Sequence, residues 1–340
     1  MFEANRQHLM NTDSLADDIE RKTMELKMEA RRVYDQRNAL NRVVTKQARD
    51  EHLYDCIRQA AASLNGQAPL VSPTPATNGH SENDAVLCLA DWHYGMTTRN
   101  LYNRYDPQVC HERVEKLAER VIERLQLHRV RTLHTFLLGD FAHGAIHTGV
   151  RVESVENVCE QLMHVSEMIA ELLVRLSCYV ENIDVFSTYG NHMRTVQNKK
   201  DSVHTDNMER IIPWWLKERL CGCQNIHIAS AEADEFIRIN VCGKNIVAAH
   251  GDLEDFSRMG VTMNTLFSRQ CGHVVDYCIM ADKHHMQAAD NYGIETILVP
   301  SLCGTDSYAN GKRLYSDPAQ TLLIFNEECG CDARYHINLK

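Results

Sequence analysis

The sequence predicts a mixed α/β domain, two sheets packed face to face with helices outside, preceded by a helical arm. Three observations carry this. In the first half of the presumed domain, short apolar runs alternate with amphipathic stretches of helical period. In its second half, apolar runs follow one another at strand spacing, which favours two sheets over one doubly wound sheet. From Asp13 to about Leu64 there is no Gly or Pro, and Glu, Lys, Arg, Ala and Leu dominate, a composition that favours helix.

The whole-chain properties set bounds. The 340 residues suffice for one large domain and an appendage, and 44% apolar residues suffice for a sizeable core. A formal charge of −10 removes the strongly basic footprint of a broad nucleic-acid binder. It leaves metal-assisted chemistry on nucleic acid open, because bound divalent cations supply positive charge locally. The opening Met1-Phe2-Glu3-Ala4-Asn5-Arg6 has no apolar core of a signal peptide, and no run approaches the ~18 apolar residues of a membrane helix. A cytoplasmic protein without a membrane partner is expected. Thirteen cysteines form no C-x-x-C pair; Cys221-Gly222-Cys223 and Cys329-Gly330-Cys331 are C-x-C. Free thiols are the expectation rather than a structural zinc site.

In the arm, residues 1–64, the apolar Ile19, Leu26, Val33 and Leu40 fall at heptad spacing. Their companions Ala16, Thr23, Ala30, Arg37 and Val44 are mixed. Two readings stay open: a short coiled coil that pairs chains or docks a partner protein, and a helix lying on its own domain. Residues 65–84 collect Pro69, Pro73, Pro75, Gly66 and Gly79 among Ser, Thr and Asn, as a flexible linker does. The main domain is placed at 85–340.

Within that domain, Ala85–Ala90 reads as a buried strand. Pro107 opens a helix to about Val130, with Val114, Leu117, Val121, Ile122 and Leu125 on one face. Thr132–Leu138 is a strand, Val152 to about Val180 one long helix, Ile183–Tyr189 a strand, and Asp206–Leu220 a helix. Glu235–Val241 and Asn245–Ala249 form a hairpin turning at Gly243. Val274–Met280, Thr296–Pro300, Thr321–Phe325 and Tyr335–Leu339 are the late strands.

Five polar stretches stand out, several of them directly after an apolar run: Asp91-Trp92-His93, Gly139-Asp140, Gly190-Asn191-His192, His250-Gly251-Asp252 and Asp282-Lys283-His284-His285. A ligand at a strand end sits on a rigid edge. Asp91 and His93 can grip one ion through oxygen and nitrogen. Asp140 has two carboxylate oxygens and can bridge two ions. Asn191 offers a carbonyl oxygen, and His250 and His284 offer imidazoles. This mixed N/O set suits Mn, Fe, Zn or Ni better than Ca. Two ions about 3.5–4 Å apart can clamp a phosphate and generate a hydroxide for in-line attack. His192 is then free to face the substrate as a general acid or phosphate contact.

The ordered set resembles the calcineurin-like metallophosphoesterases, whose pattern runs D-x-H, G-D, G-N-H-D/E, H and G-H-x-H. The resemblance covers roughly Ala85 to Phe325. The wording Gly-Asp-Phe-Ala-His-Gly, Gly-Asn-His-Met-Arg and His-Gly-Asp is most similar to the phage-type branch related to SbcD-type DNA exonucleases. The resemblance implies a four-layer α/β/β/α sandwich and a bacterial or phage-infected host cytoplasm. It implies a first metal held by Asp91, His93, Asp140 and His284. A second would be held by Asp140, Asn191, His250 and the residue at 282. Asp140 and His192 would carry the chemistry. Two divalent cations, with Mn foremost and Fe, Zn, Ni or Mg as options, and DNA or another phosphodiester as substrate follow from it.

Three departures matter. Ala281-Asp282 replaces Gly-His; Asp282 either ligates, with a harder, more Mn- or Mg-like preference, or points away. Met193 stands where the family has an acidic residue, which removes a usual orienting partner. His143 stands where many relatives carry Asp or Asn, to touch substrate or cap a turn.

Arg194, Arg151, Lys199 and Lys200 are candidates for flanking phosphates or for a solvated loop. Trp92 and Tyr94 could stack a base or pack beneath the site. His285 is expected behind the ligands, and Ser301 to Asp317, with Tyr308 and Arg313, as a loop over the cleft. Two other functions fit the same residues: a phosphomonoesterase, and a weakened interaction protein that keeps the fold.

Overall fold

The computed structural model describes residues 19, 21–41, 43, 44, 70, 82–146, 148–229 and 235–340, the side chains at 148, 200 and 271 excepted. The chain divides into two compact units, Met1–Asn65 and Gly66–Lys340. In the first, 21–41 and 43–44 are helical (α1). Ile19, Leu26, Val33 and Leu40 are all exposed there. The rest of the expected arm, and the expected linker apart from 70 and 82–84, lie outside the described residues.

The second unit begins with β1 (Asp84–Leu89), buried along its whole length. The reason is its place in the middle of the molecule. Ala85, Leu87 and Leu89 face a helical layer, while Val86, Cys88 and Ala90 face a second sheet. The period-2 alternation of a strand is therefore invisible in the sequence, because both faces are apolar.

The first sheet runs β13-β12-β1-β4-β5-β6, made of β4 (Thr132–Leu137), β5 (Asn182–Ser187), β6 (Ile226–Ile228), β12 (Ala319–Asn326) and β13 (Gly330–Asn338) around β1. β1, β4, β5 and β6 are parallel; β12 joins β1 antiparallel, with Asp84 opposite Phe325. The second sheet runs β10-β11-β9-β8-β7: β7 (Ile237–Val241), β8 (Lys244–Ala249), β9 (Tyr277–Met280), β10 (Gln287–Asn291) and β11 (Ile294–Leu298). Here β8, β9 and β11 are parallel. A small ribbon pairs β2 (Thr98–Arg99) with β3 (Arg104–Tyr105).

Three apolar layers separate four structural ones. Helices α2 (Pro107–Leu127), α4 (Val158–Ser177) and α5 (Ile211–Arg219) cover the outer face of the first sheet through Leu117, Val121, Ile169, Leu173 and Leu216. Phe136, Leu138, Ile246, Ala248, Ile279 and Phe325 fill the space between the sheets. Met259, Met263 and Phe267 of α6 (Phe256–Cys271) close the far face of the second sheet. The domain is a four-layer α/β/β/α sandwich, the order that the motif resemblance implies.

Some elements differ from the sequence reading. The single helix expected from Val152 to about Val180 is two, α3 (Thr148–Glu153) and α4. Asn157 splits them. Its side chain accepts from the N–H groups of Cys159 and Glu160, and Glu160 reaches back to the Asn157 N–H, a capping box. The helix expected from Asp206 begins as a 3₁₀ turn at Met208–Arg210 before α5. Helix α6 and strands β6 and β10 were not anticipated. β10 is a polar edge strand, QADN-rich, with no apolar run to announce it. Among the described residues ten cysteines are free, but Cys159 is disulfide-bonded, which corrects the expectation of free thiols throughout; spacing in sequence says nothing of such a pair. No helix among the described residues is long and apolar enough to cross a membrane.

The cap gives a direct test. Asn157→Ala is expected to lower unfolding stability by about 1 kcal/mol and Asn157→Asp by much less, read from urea denaturation.

Candidate metal centre

Parallel strands all point their carboxyl ends one way, and the loops that leave those ends carry the ligand candidates. Asp91 and His93 follow β1, Asp140 follows β4, Asn191 and His192 follow β5. From the second sheet, His250 follows β8, and Asp282 and His284 follow β9. Backbone hydrogen bonds tie the loops into one rim: Asp91 N–H to Gly139 O (3.1 Å), His93 N–H to Asp140 O (2.9 Å), Ala281 N–H to His250 O (2.7 Å).

The rim is conformationally strained. Asp91, His93, Asp140, Asp282 and His284 all have left-handed backbone, with φ between 47° and 64°. Such a conformation costs an L-residue about 1–2 kcal/mol and clusters at functional sites. Gly139 and Gly190 make the close approach of two loops possible. A Cβ on Gly139 (φ +92°) would lie 2.2 Å from Gly190 N, and one on Gly190 would lie 2.0 Å from Asp140 Oδ1.

The side chains converge as two donor groups that share Asp140. Ligand atoms of Asp91, His93 and Asp140 lie within 4.8 Å of one another, as do those of Asp140, His250 and Asp282. His284 completes the first group, its Nε2 3.2 Å from His93 Nε2 and 3.6 Å from Asp91 Oδ1. In the second, His250 Nε2 is 3.3 Å from Asp140 Oδ2 and 3.6 Å from Asp282 Oδ1. Asp282 therefore turns into the group and not away from it. The Asn191 amide nitrogen lies 2.9 Å from Asp282 Oδ1 and 3.5 Å from His250 Nε2; a half-turn of the amide exchanges its oxygen into that place.

The histidines are held by their second nitrogens. His250 Nδ1–H donates to Leu138 O (2.7 Å), which leaves Nε2 facing the carboxylates. His192 Nδ1–H donates to His143 O (2.8 Å), and the His192 backbone N–H donates to Asp140 Oδ1 (2.9 Å). The His192 ring meets the His93 ring edge-on at 4.5 Å.

Electrostatics follow from burial. Burial pushes the Asp91 carboxyl up to about 6. Burial also opposes ionisation of Asp140, but His250 and His192 outweigh it and hold this carboxyl well below the carboxylate range. Burial disfavours charge on His250 and His284, yet Asp140 lifts the first well above the histidine range and Asp91 lifts the second to about 10. The carboxylates thus demand positive charge, which imidazolium protons or dications can both supply. One donor atom of the first group, Asp91 Oδ1, is buried with no hydrogen-bond partner, as is the outer ring nitrogen of His93, Nδ1. An ionic donor set with unspent lone pairs fits divalent cations.

Sequence reasoning missed the groups that hold this rim. Glu209, fully buried, accepts from the backbone N–H groups of Phe141 (2.7 Å), Gly190 (2.7 Å) and Asp140 (3.2 Å). Asn207 Nδ2 donates to Gly190 O (2.7 Å). One carboxylate therefore clamps two ligand loops. Burial, with Asp140 beside it, pushes Glu209 up to about 7. Gln320, fully buried on β12, accepts from the Ala90 N–H (2.9 Å) and Trp92 Nε1–H (3.2 Å) and donates to Pro300 O (2.9 Å), fixing the first loop. Neither residue has a sequence signal, since both act across the fold.

Several expected substrate contacts are otherwise engaged. Arg194 is only 8% exposed, and its guanidinium donates to Asn191 O (2.7 Å), Gln197 O (3.0 Å) and Val196 O (3.1 Å). In this arrangement it braces its own loop. Arg151 donates to Ala145 O (2.9 Å) on the exposed α3, and Lys199 pairs with Asp252 (2.8 Å). Trp92 packs edge-on against Phe141 at 5.3 Å beneath the site, not where a base could stack. His143 is buried beside His192 and His93, both ring nitrogens without a hydrogen-bond partner, and burial pushes it down to about 3. His285 is exposed and bonded to Lys283 O (2.8 Å).

The clamp is testable. Glu209→Ala leaves three buried N–H groups without an acceptor, each costing about 1–3 kcal/mol, so a large fall in melting temperature is expected. Glu209→Gln should keep the fold but weaken divalent-cation binding about 10–100-fold by titration calorimetry.

No family model matches the chain. In sequence it is similar to the SPbeta prophage-derived uncharacterized protein YonJ of Bacillus subtilis strain 168, 21% identical over 326 residues, 94% of this chain and 79% of YonJ. Among solved structures it is similar to an archaeal phosphodiesterase (16% identity, 75% of this chain and 99% of that one, TM-score 0.37). Two others are a zinc complex of Vps29 from Entamoeba histolytica (12%, 75% and 99%, TM-score 0.33) and a predicted phosphoesterase from Streptococcus pneumoniae (10%, 75% and 98%, TM-score 0.29).

Proposed function

We propose that this chain is a calcineurin-like, two-metal phosphoesterase that hydrolyses phosphodiesters, with DNA as the substrate class. The observation that carries the reading is the pair of buried donor groups joined through Asp140 at one rim of strand ends. DNA is assigned on the wording of the motifs around Asp140, His192 and His250, which resembles the exonuclease branch.

Asp91, His93, Asp140 and His284 would hold one cation, and Asp140, His250, Asp282 and the turned Asn191 amide the other. When bound, the cations supply Lewis-acid polarisation of the phosphoryl group and activation of water. The chain's own residues do the rest. The Leu138 carbonyl keeps the proton of His250 on Nδ1, so Nε2 stays a donor. The His143 carbonyl likewise holds the His192 proton at Nδ1. A second proton on His192 Nε2 is then the one available to a leaving alkoxide, and His192 is the general acid. Manganese is the expected cation at the carboxylate-rich second position, since Asp282 hardens it.

Asp140→Asn removes the shared charge and is expected to abolish turnover. His192→Asn should spare cation binding yet slow hydrolysis by about 10²–10⁴-fold. Both are read from release of nucleotides from single- and double-stranded DNA in Mn²⁺, alongside bis-(p-nitrophenyl) phosphate. Protein that cleaves the model diester but no nucleic acid refutes the DNA assignment. Protein that turns over only monoesters establishes the phosphomonoesterase instead.

We propose in addition that the arm pairs two copies of the chain. Support comes from the heptad-spaced Ile19, Leu26, Val33 and Leu40, all exposed on a helix. Deleting residues 1–64 should then halve the number of chains per particle in sedimentation equilibrium; an unchanged number rejects the pairing.

A further inference from the structure

The turn after β11 brings a cysteine to the first donor group. Ligand atoms of His93, His284 and Cys303 lie within 4.8 Å of one another. The Cys303 side chain is fully buried, and its thiol donates to Gly304 O (3.4 Å). None of the five motif stretches includes it.

The turn is built with unusual expense of polar groups. Arg113, buried beneath it, donates to Leu302 O (2.9 Å) and Cys303 O (2.7 Å). Asn103, also buried, donates to Cys303 O (2.8 Å) and receives Arg113 Nη2–H (2.8 Å). The Cys303 N–H donates to Asp91 O (3.3 Å), and the Gly304 N–H to Ser301 Oγ (3.1 Å). A buried guanidinium and amide thus fix the backbone of Cys303 against that of Asp91. On the other side of the His284 ring nitrogen, 3.6 Å from it, Asp91 Oδ1 is a fully buried atom with no hydrogen-bond partner, a second sign that this pocket is shaped for a ligand.

We propose that Cys303 supplies a thiolate ligand to the first metal position, which makes that position selective for a softer dication such as Zn²⁺ or Fe²⁺. The inference rests on the two-metal reading above and deepens it. On binding, the Sγ–H bond breaks, its proton passes to solvent, and the sulfur lone pair forms the bond to the cation, with no change of oxidation state. The first position then offers sulfur, imidazole nitrogen and carboxylate. The second offers Asp140, Asp282, His250 and Asn191, chiefly oxygen. Soft and hard donors sort metals, so the pair holds unlike ions.

The test uses the full-length protein, stripped with a chelator and titrated anaerobically with Co²⁺. A near-ultraviolet thiolate-to-cobalt charge-transfer band is expected in the unmodified protein and absent in Cys303→Ser. Zinc affinity of the first position should fall by at least about 10–100-fold in that variant, with manganese affinity of the second kept. X-ray absorption of the unmodified one-zinc protein, which needs no variant, should show a single sulfur at about 2.3 Å. Two bound cobalt ions without the band, a band that survives in Cys303→Ser, or a zinc shell with no sulfur or several overturns the thiolate and leaves the two-metal reading intact. Failure to bind cobalt at all overturns both.

Discussion

A carboxylate with 2% of its surface exposed persists as an anion only if the protein replaces the water it has lost, and Asp140 is that group here. Its Oδ1 takes the His192 N–H and its Oδ2 faces His250. Asp91 and Glu209, both deeply buried, stand close enough for their charges to bear on the same neighbourhood. Three acids cannot share so small a volume without compensation, and His250 and His284 supply only part of it. The same demand explains Glu209: a carboxylate spent wholly on backbone N–H groups adds no ligand, but it holds the Asp140 and Asn191 loops at fixed distance. Two glycines back to back make room for that geometry.

The strain at the rim has its counterweight in the sheets. Five ligand candidates adopt left-handed backbone, at a summed cost of several kcal/mol on an order-of-magnitude scale. Only rigid surroundings hold such residues. β1, β4 and β5 are tied to one another in parallel register and packed on both faces, and Gln320 reaches across from β12 to lock the first loop. The helices outside the first sheet bear on the site less directly, through α5 and the 3₁₀ turn from which Glu209 projects.

Much of this was legible in the sequence because each ligand candidate sits beside the strand that presents it. Asp91 follows an apolar run and His250 follows another, so order and spacing sufficed. Glu209 was not legible: it lies in a polar stretch well after Gly-Asn-His, and its partners are main-chain groups that leave no trace in side-chain pattern. Cys303 was hidden among thirteen cysteines with no ligand spacing. Arg194 differs again. Its place after Gly-Asn-His suggested phosphate, but a guanidinium beside a tight loop finds carbonyls first. Helix α6 was overlooked since its buried face is methionine and phenylalanine scattered among Ser, Thr, Arg and Gly, and the break before α4 hung on one asparagine.

The position of β1 has a consequence for how the molecule is made. Its two neighbours are β4, close in the chain, and β12, with Asp84 set opposite Phe325. During synthesis the loops bearing Asp91, Asp140, Asn191, His250 and His284 all leave the ribosome before the strand that seals β1 exists. Until β12 is translated, one edge of β1 stays open and Gln320 is missing from the first loop. Contacts so distant in sequence form slowly and late. The rim is therefore complete only once β12 has joined, and a chain cut before β12 carries every motif yet lacks Gln320 and one edge partner of β1.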